Sequence, residues 1–478
     1  MLFNSISYLV FLPIVFILYW FVFSNKVKTQ NLLLLLSSYF FYSCWDWRFL
    51  FLLIFSTVLD YYTGIKIQQN SSTNRRKYWF WLSVCTNLGF LGIFKYYNFF
   101  IENFIQLFSE LGIQIHATTI NIILPVGISF YTFHGLSYVI DIYKNRIKAE
   151  NNFIDYAVFV SFFPLLVAGP IERATHLLPQ IKIKRIFEYK YANEGLRQIL
   201  WGLFKKVVIA DQCAQYADIV FSNSNIYSGS TLLLGAFFFT IQIYGDFSGY
   251  SDNAIGTAKL FGIDLLKNFS YPYFSRDIAE FWRRWHISLS SWFKDYLYIP
   301  LGGSKGGTYV KVRNTFIIFL VSGFWHGANW TFIIWGLLNA LYIMPSIIFN
   351  TNRNNLEIVA KGRLFPTIKE FISICITFML ALFAWIFFRS DNLHVACDFI
   401  KNIFDYSLFA IPQVKDMRLL LTIAIFFSIE WIGREGSFAL EYLEKRLPLL
   451  LRWIFYGILT ASIVSHVGTD KQFIYFQF

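Results

Sequence analysis

Apolar stretches long enough to cross a bilayer recur from one end of the chain to the other. A transmembrane helix needs about 20 mostly apolar residues. The stretches lie near 6–23, 30–44, 48–64, 78–98, 120–141, 153–169, 200–221, 231–250, 314–330, 332–349, 369–388, 418–433 and 450–467. Because several are short or interrupted, the pattern predicts an all-α polytopic fold with about ten to twelve membrane-spanning helices. No internal repeat or polar linker divides them, so we expect a single membrane domain over residues 1–478.

Two segments depart from this pattern. Residues 170–206 alternate Lys and Arg with apolar and aromatic side chains, which is typical of an amphipathic segment at the cytoplasmic membrane surface. Residues 271–307 (YPYFSRDIAEFWRRWHISLSSWFKDYLYIPLGGSKGG) are too charged to face lipid and too aromatic for a solvated loop. Such a segment is tolerated at membrane depth where protein or a wet cavity surrounds it. We therefore predict a re-entrant element that lines a central cavity.

The composition supports the membrane interpretation. Of the 478 residues, 56% are hydrophobic and 15% charged, which excludes a disordered chain and an ordinary soluble enzyme. The 41 basic and 29 acidic residues give a net charge of +12, which indicates cytoplasmic loops and anionic lipid and not nucleic acid. Basic clusters follow the first, third and fifth apolar stretches, which places the N-terminus outside the cell. The five cysteines contain no CxxC pair, so we expect no metal site.

His326 is the most prominent ionisable residue within the apolar stretches. It lies in VSGFWHGANWTFIIWG, with Gly323 and Gly327 allowing close approach of a substrate or a helix. Ionisable groups inside a membrane are costly and often functional, and imidazole is the usual general base near neutral pH. The alternative is a neutral core histidine hydrogen-bonded to a carbonyl.

His286 is the second candidate, within FWRRWHISLSSW. If this segment is helical, Trp282, His286 and Ser290 share one face at i, i+4 spacing. Arg283 and Arg284 would lie to one side, where they could hold an acyl carbonyl or a phosphate. The alternative is an aromatic and basic belt at the membrane interface.

Two further features carry weaker signals. One of the two residues Asp246 and Asp252 in IYGDFSGYSDNAIG could orient a histidine or pair with an arginine, although a buried polar contact that tightens helix packing is favoured. The glycine-rich LGGSKGG, with Lys305, could receive a phosphate of a nucleotide-like donor.

The chain closes on an apolar tail, FIYFQF, at residues 473–478. Termini are commonly polar and frayed, so this composition predicts that the tail inserts into a groove. The phenol of Tyr475, held near an imidazole base, could act as a nucleophile and carry an acyl group. The alternative is a hydrophobic anchor.

The stretches DFSGYSDNAIG, NFSYPYFSRDIAEFWRRWHISLSSWFKDYLYIPLGG and SGFWHGANWTFIIWG resemble bacterial membrane-bound O-acyltransferases. SFYTFHGLSYVIDIY and FPLLVAGPIER match the same family, most closely its alginate and peptidoglycan O-acetyltransferase branch. The resemblance implies a ring of tilted helices with re-entrant segments around a central funnel. It places the family's two histidines on His326 and His286, and its tail motif on Phe473–Phe476.

The same resemblance implies a mechanism in the bacterial inner membrane. Acetyl-CoA is the cytoplasmic substrate, with no bound cofactor, and His326 is the general base toward a hydroxyl such as that of Tyr475. His286 positions the acyl group or stabilises developing charge. An extracytoplasmic SGNH-type acetyltransferase then acetylates an envelope polysaccharide. The candidate residues for binding the donor are Arg283, Arg284, Trp325, Asn329, Trp282, Ser290 and Lys305.

Three alternatives remain at this point. A related enzyme could transfer D-alanine or another short acyl group from a carrier-protein thioester. A proton-coupled transporter or flippase would use the intramembrane histidines as a proton relay. A membrane scaffold would not need buried histidines at all.

Overall fold

The structure is a computed structural model that describes residues 1–24, 26–115, 118–120, 123–167, 169–468 and 473–474. The described residues form helices, turns and loops, with no strand among them. The all-α fold expected from the apolar stretches is therefore confirmed. The α-helices, numbered α1 to α21 in chain order, are Ile6–Ile17, Val27–Ser43, Trp47–Gln69, Thr73–Leu91, Tyr97–Glu110, Ile128–Tyr143, Phe153–Ser161, Phe163–Leu166, Ala174–Lys182, Tyr189–Leu203, Asp211–Ser222, Gly229–Leu260, Ile278–Arg284, Ile287–Phe293, Gly307–His326, Trp330–Ile348, Ile368–Arg389, Leu393–Ile403, Met417–Gly433, Leu443–Arg446 and Leu449–His466.

Five of these helices are long and apolar enough to cross a membrane, namely α3, α12, α16, α17 and α21. Helix α21 exposes most of its apolar side chains, including Leu450 (72%) and Trp453 (67%). An apolar surface of this kind suits lipid and would promote aggregation in water. The multi-pass membrane character is confirmed, whereas the number of ten to twelve spans and their ring arrangement stay predictions.

The chain divides into two compact units. The first comprises residues 1–193 and 257–266, and the second comprises 194–256 and 267–478. A buried polar network lies in the first unit, where Asp60 accepts hydrogen bonds from Ser83 (2.6 Å) and Asn87 (2.8 Å). Both candidate histidines lie in the second unit. The expectation of a single domain stays a prediction.

Several predicted spans are not continuous α-helices. The stretch 153–169 forms α7 and α8, of nine and four residues, which are too short to cross a bilayer. Pro164 lacks the N–H that a continuous helix would need at that point, so the single span predicted there is wrong. The stretch 200–221 is helical but contains a π-helical turn at Phe204–Ala210.

Helices α15 and α16 form a closely packed hairpin, and α15 ends at His326. Asn329 caps α16 by accepting a backbone N–H of its first turn. A Cβ added to Gly323 would lie 2.2 Å from the carbonyl oxygen of Phe332, and one added to Gly336 would lie 2.3 Å from a carbonyl oxygen of α15. The two glycines therefore let the two backbones touch directly.

Candidate active site

His286 lies at a break between α13 and α14. Its backbone is left-handed, with φ 44° and ψ 53°, and the residue before it is extended. Positive φ is uncommon for a non-glycine residue, and strained residues concentrate at functional sites. One continuous helix through this segment is therefore ruled out. The prediction that Trp282, His286 and Ser290 share one helical face is wrong.

The strained backbone turns the His286 ring toward Asn268. The two atoms Nδ1 of His286 and Oδ1 of Asn268 are 3.0 Å apart, and Ser288 Oγ donates to the same oxygen at 2.8 Å. An amide oxygen only accepts, so Nδ1 donates to it, and in the neutral ring Nε2 then presents a lone pair. Nε2 is buried and has no hydrogen-bond partner among the described residues. The ring is thus a preoriented acceptor.

His326 lies in an aromatic cluster at the end of α15. It is 4% exposed, and its ring centroid lies 5.0 Å from that of Trp335 and 5.2 Å from that of Phe388. Trp325 lies between the two histidines, with ring centroids 4.8 Å from His326 and 6.2 Å from His286. The structure therefore brings both predicted histidines, and Trp325, into one water-poor region.

Trp282 belongs to the same cluster. Its ring centroid lies 5.7 Å from that of Trp335, and its Nε1 donates to Asn339 Oδ1 at 3.2 Å. The helix break does not remove Trp282 from the site, because Trp335 connects it to His326. Its predicted role in binding the donor stays a prediction.

The two arginines that precede His286 bind protein groups. Arg283 donates to the carbonyl oxygens of Asn352 (2.7 Å) and Asn355 (2.9 Å). Arg284 forms an ion pair with Glu280 at 2.8 Å. These contacts fix the loop that follows α16 and the start of α13. Any contact of either arginine with an acyl carbonyl or a phosphate stays a prediction.

The remaining candidates lie in different local settings. Asn329 donates to the carbonyl oxygen of Asp391 at 2.8 Å and also caps α16. Ser290 is half-buried in α14, and Lys305 is exposed in the turn before α15. Their predicted contacts with the donor stay predictions.

Two residues of the tail are described, and both are buried. Phe473 is 0% and Ile474 is 1% exposed. The ring of Phe473 lies 4.3 Å from Tyr250 and 6.3 Å from Phe247 between centroids. Phe247 in turn packs edge-on against His286 at 4.6 Å. The start of the tail is therefore inserted beside Phe247, which contacts His286, whereas Tyr475 lies outside the described residues.

Lys205 and Lys206 close the basic segment 170–206, for which an amphipathic surface segment was predicted, but their side chains are buried in the protein. They are 3% and 2% exposed, within the π-helical turn at Phe204–Ala210. Lys205 pairs with Asp252 at 2.5 Å, and Lys206 pairs with Asp246 at 2.8 Å. Buried charges persist when they are paired, which explains both lysines and both aspartates. The interpretation of these aspartates as buried polar contacts is confirmed.

His176 in the first unit lies outside the membrane-spanning helices and between two carboxylates. Its Nδ1 is 2.9 Å from Glu172 Oε2, and its Nε2 is 3.7 Å from Asp264 Oδ2. The carboxylates of Asp264 and Glu172 raise the pKa of His176 to about 10. His176 is therefore charged at neutral pH and ties α9 to the segment that carries Asp264.

Sequence reasoning missed Asn268 and Phe247. Asn268 opens the aromatic block that ends at His286, and Phe247 directly follows Asp246. A polar residue at the start of such a block was the available signal for Asn268, whereas nothing in the sequence distinguished Phe247 from other phenylalanines. Among the described residues, no group of three or more His, Cys, Asp or Glu side chains could hold a metal ion.

Comparison with known proteins adds to this geometry. The model of the membrane-bound O-acyltransferase (MBOAT) family matches residues 144–388, which include His286 and His326. The chain is 35% identical over 506 aligned positions to the probable alginate O-acetylase AlgI of Pseudomonas putida, with all of both chains covered. It is 37% identical to the peptidoglycan O-acetyltransferase of Helicobacter pylori, over 84% of this chain and 79% of that one. The teichoic acid D-alanyltransferase of Bacillus subtilis is 27% identical, over 59% of this chain and 72% of that one.

The matches to O-acyltransferases are consistent with the helical membrane fold and with the two buried histidines. The chain belongs to the membrane-bound O-acyltransferase family and is a multi-pass membrane acyltransferase.

Proposed function

We propose that this enzyme moves an acetyl group from cytoplasmic acetyl-CoA across the bacterial inner membrane for O-acetylation of an envelope or exopolysaccharide polymer. The observation that carries the proposal is the burial of Phe473 and Ile474, with Phe473 beside Phe247, which itself packs against His286. The names of the relatives, which specify alginate and peptidoglycan acetylation, support acetyl as the acyl group.

In the proposed first step, His326 takes the phenolic proton of Tyr475. The phenolate oxygen attacks the thioester carbonyl of acetyl-CoA, the carbon–sulfur bond breaks, and the CoA thiolate recovers the proton from His326. The product is an acetyl ester on Tyr475. In the second step, a partner of the SGNH type outside the membrane accepts the acetyl group and places it on a polysaccharide hydroxyl, which regenerates the phenol.

The hydrogen bond at Nδ1 of His286 favours one of its two predicted roles. A lone pair at Nε2 cannot stabilise developing negative charge, but it can accept a hydrogen bond. We therefore assign His286 to positioning the donor, for example through an amide N–H of the pantetheine arm. Its replacement then raises KM for acetyl-CoA, whereas replacement of His326 lowers kcat.

The test uses full-length protein in liposomes, radiolabelled acetyl-CoA, and the variants His326→Gln and Tyr475→Phe. We expect label on the wild-type tail and none on Tyr475→Phe. For His326→Gln we expect thioester turnover about 100- to 10,000-fold slower than wild type, the usual contribution of a general base. His394→Gln is the matched control, because His394 is a surface histidine 86% exposed on its side chain.

Other outcomes would redirect the proposal. Turnover lost in His326→Gln but retained in Tyr475→Phe would remove the tyrosine intermediate and keep the acetyltransferase. No reaction with acetyl-CoA, together with labelling from a D-alanyl carrier-protein thioester, would favour D-alanyl transfer, which the Bacillus subtilis relative performs by its name. Solute flux that depends on His326 without any acyl transfer would favour a transporter.

A further inference from the structure

The described part of the tail is held by its main chain as well as by its side chains. The N–H of Ile474 donates to Asp246 Oδ2 at 2.8 Å, across a sequence separation of 228 residues. Both residues are buried, so water does not compete for this hydrogen bond. A bond from a peptide N–H to an ionised carboxylate is stronger than one between neutral groups.

Lys206 keeps the acceptor in place. Its Nζ lies 2.8 Å from Asp246 Oδ1 and 2.8 Å from Asp211 Oδ1, and all three side chains are about 2% exposed. One oxygen of Asp246 therefore faces the ammonium group while the other faces the tail. This geometry orients the carboxylate, because rotating it toward either partner would break the contact with the other.

The same stretch of α12 contacts the histidine site. Phe247, the next residue after Asp246, packs edge-on against His286 at 4.6 Å and lies 6.3 Å from Phe473. Asp246 binds the start of the tail and Phe247 contacts His286, so this part of α12 connects the tail to His286.

We infer that Asp246, oriented by Lys206, is a positioning residue that clamps the main chain of the tail at Ile474. Its effect on acetyl labelling of the tail rests on the proposed acyl relay, whereas the clamp itself does not. Because the clamp recognises a backbone N–H, it excludes proline at position 474, since proline has no N–H.

The clamp is tested by hydrogen–deuterium exchange of the C-terminal peptide in the full-length protein, which reports on the Ile474 amide directly. Asp246→Asn should speed exchange of this amide about 10- to 100-fold, because a charged hydrogen bond is weakened. Asp252→Asn is the matched control, since Asp252 lies on the same helix and pairs with Lys205. It should leave the amide protected. Equal exchange in wild type and Asp246→Asn, or equal acceleration in both variants, would overturn the clamp.

The positioning role is tested by a second pair that leaves the buried charges intact. Ile474→Pro removes the donor, whereas Ile474→Val keeps it. We expect acetyl labelling of Tyr475 to fall about tenfold or more in Ile474→Pro and to stay near wild type in Ile474→Val. Equal labelling in the two variants would overturn the positioning role. Loss of protection in Asp246→Asn with no label on Tyr475 in wild type would instead overturn the proposed relay and leave the clamp standing.

Discussion

The close contact between α15 and α16 at Gly323 determines how strongly the protein should respond to a larger residue at this position. Adding a methyl group in Gly323→Ala would place Cβ 2.2 Å from the carbonyl oxygen of Phe332, although real Cβ atoms essentially never approach closer than 3.0 Å. The obstacle is backbone and cannot rotate away. The gap must therefore open by about 0.8 Å, from 2.2 Å to at least 3.0 Å.

This displacement affects the site because His326, three residues after Gly323, ends α15 and contacts Trp335 on α16. Overpacking a closely packed interface costs about 1–3 kcal/mol, which should lower the melting temperature by several degrees. A misplacement near 1 Å at a catalytic group lowers turnover by about 100-fold. We expect Gly323→Ala to show both a lower Tm and about 10- to 100-fold slower acyl transfer.

The assay compares Gly323→Ala with Gly457→Ala, in which the new Cβ on α21 meets nothing within 4 Å. The control should equal or slightly exceed wild type in Tm, because alanine favours a helix over glycine by about 1 kcal/mol. Thermal unfolding by tryptophan fluorescence and acyl transfer are measured on the same preparations. If Gly323→Ala matched Gly457→Ala in both measurements, direct backbone contact between α15 and α16 would be refuted.

Three further outcomes are expected. Asn268→Ala removes the acceptor that orients His286 and should raise KM for the donor about tenfold with a smaller effect on kcat, measured by steady-state kinetics; an unchanged KM would contradict the positioning role. The pKa of His176 is raised in the folded protein, so the charged His176 stabilises the fold through its two carboxylate partners. This stabilisation is complete below the unfolded-state pKa of about 6.5 and is lost as pH rises to about 10. His176→Gln should therefore lower Tm at pH 6 and match wild type above pH 10, and a pH-independent difference would argue against the charge. Thr367→Ala breaks the capping box of α17 and should cost about 1 kcal/mol of stability without changing turnover; an unaltered Tm would show that the cap is dispensable.

Residues governed by local rules were predictable from the sequence. The apolar stretches indicated a helical membrane fold, and His326 was identified because an ionisable residue inside an apolar stretch is costly and often functional. The tail was identified by the same reasoning, since an apolar terminus needs a groove. In each instance the signal lies within a few neighbouring residues.

The remaining features depend on contacts that are distant in sequence or on broken local rules. The left-handed backbone of His286 interrupts a segment whose sequence favours a helix. The sequence alone therefore could not show that His286 and Ser290 do not share a helical face. Lys206 resembles a surface lysine until Asp246, 40 residues later, pairs with it. The amide of Ile474 reaches the same aspartate across 228 residues. No local pattern encodes such pairings.

The indole rings around the histidines also give this enzyme an optical signature. Trp335 and Trp385 stack with centroids 5.6 Å apart, Trp285 lies 5.0 Å from Trp385, and Trp282 lies 5.7 Å from Trp335. Indoles at these separations share their electronic excitations, which produces paired positive and negative bands in circular dichroism that isolated tryptophans do not give. A donor that enters between the rings changes their coupling, so its binding can be titrated without a label and without turnover.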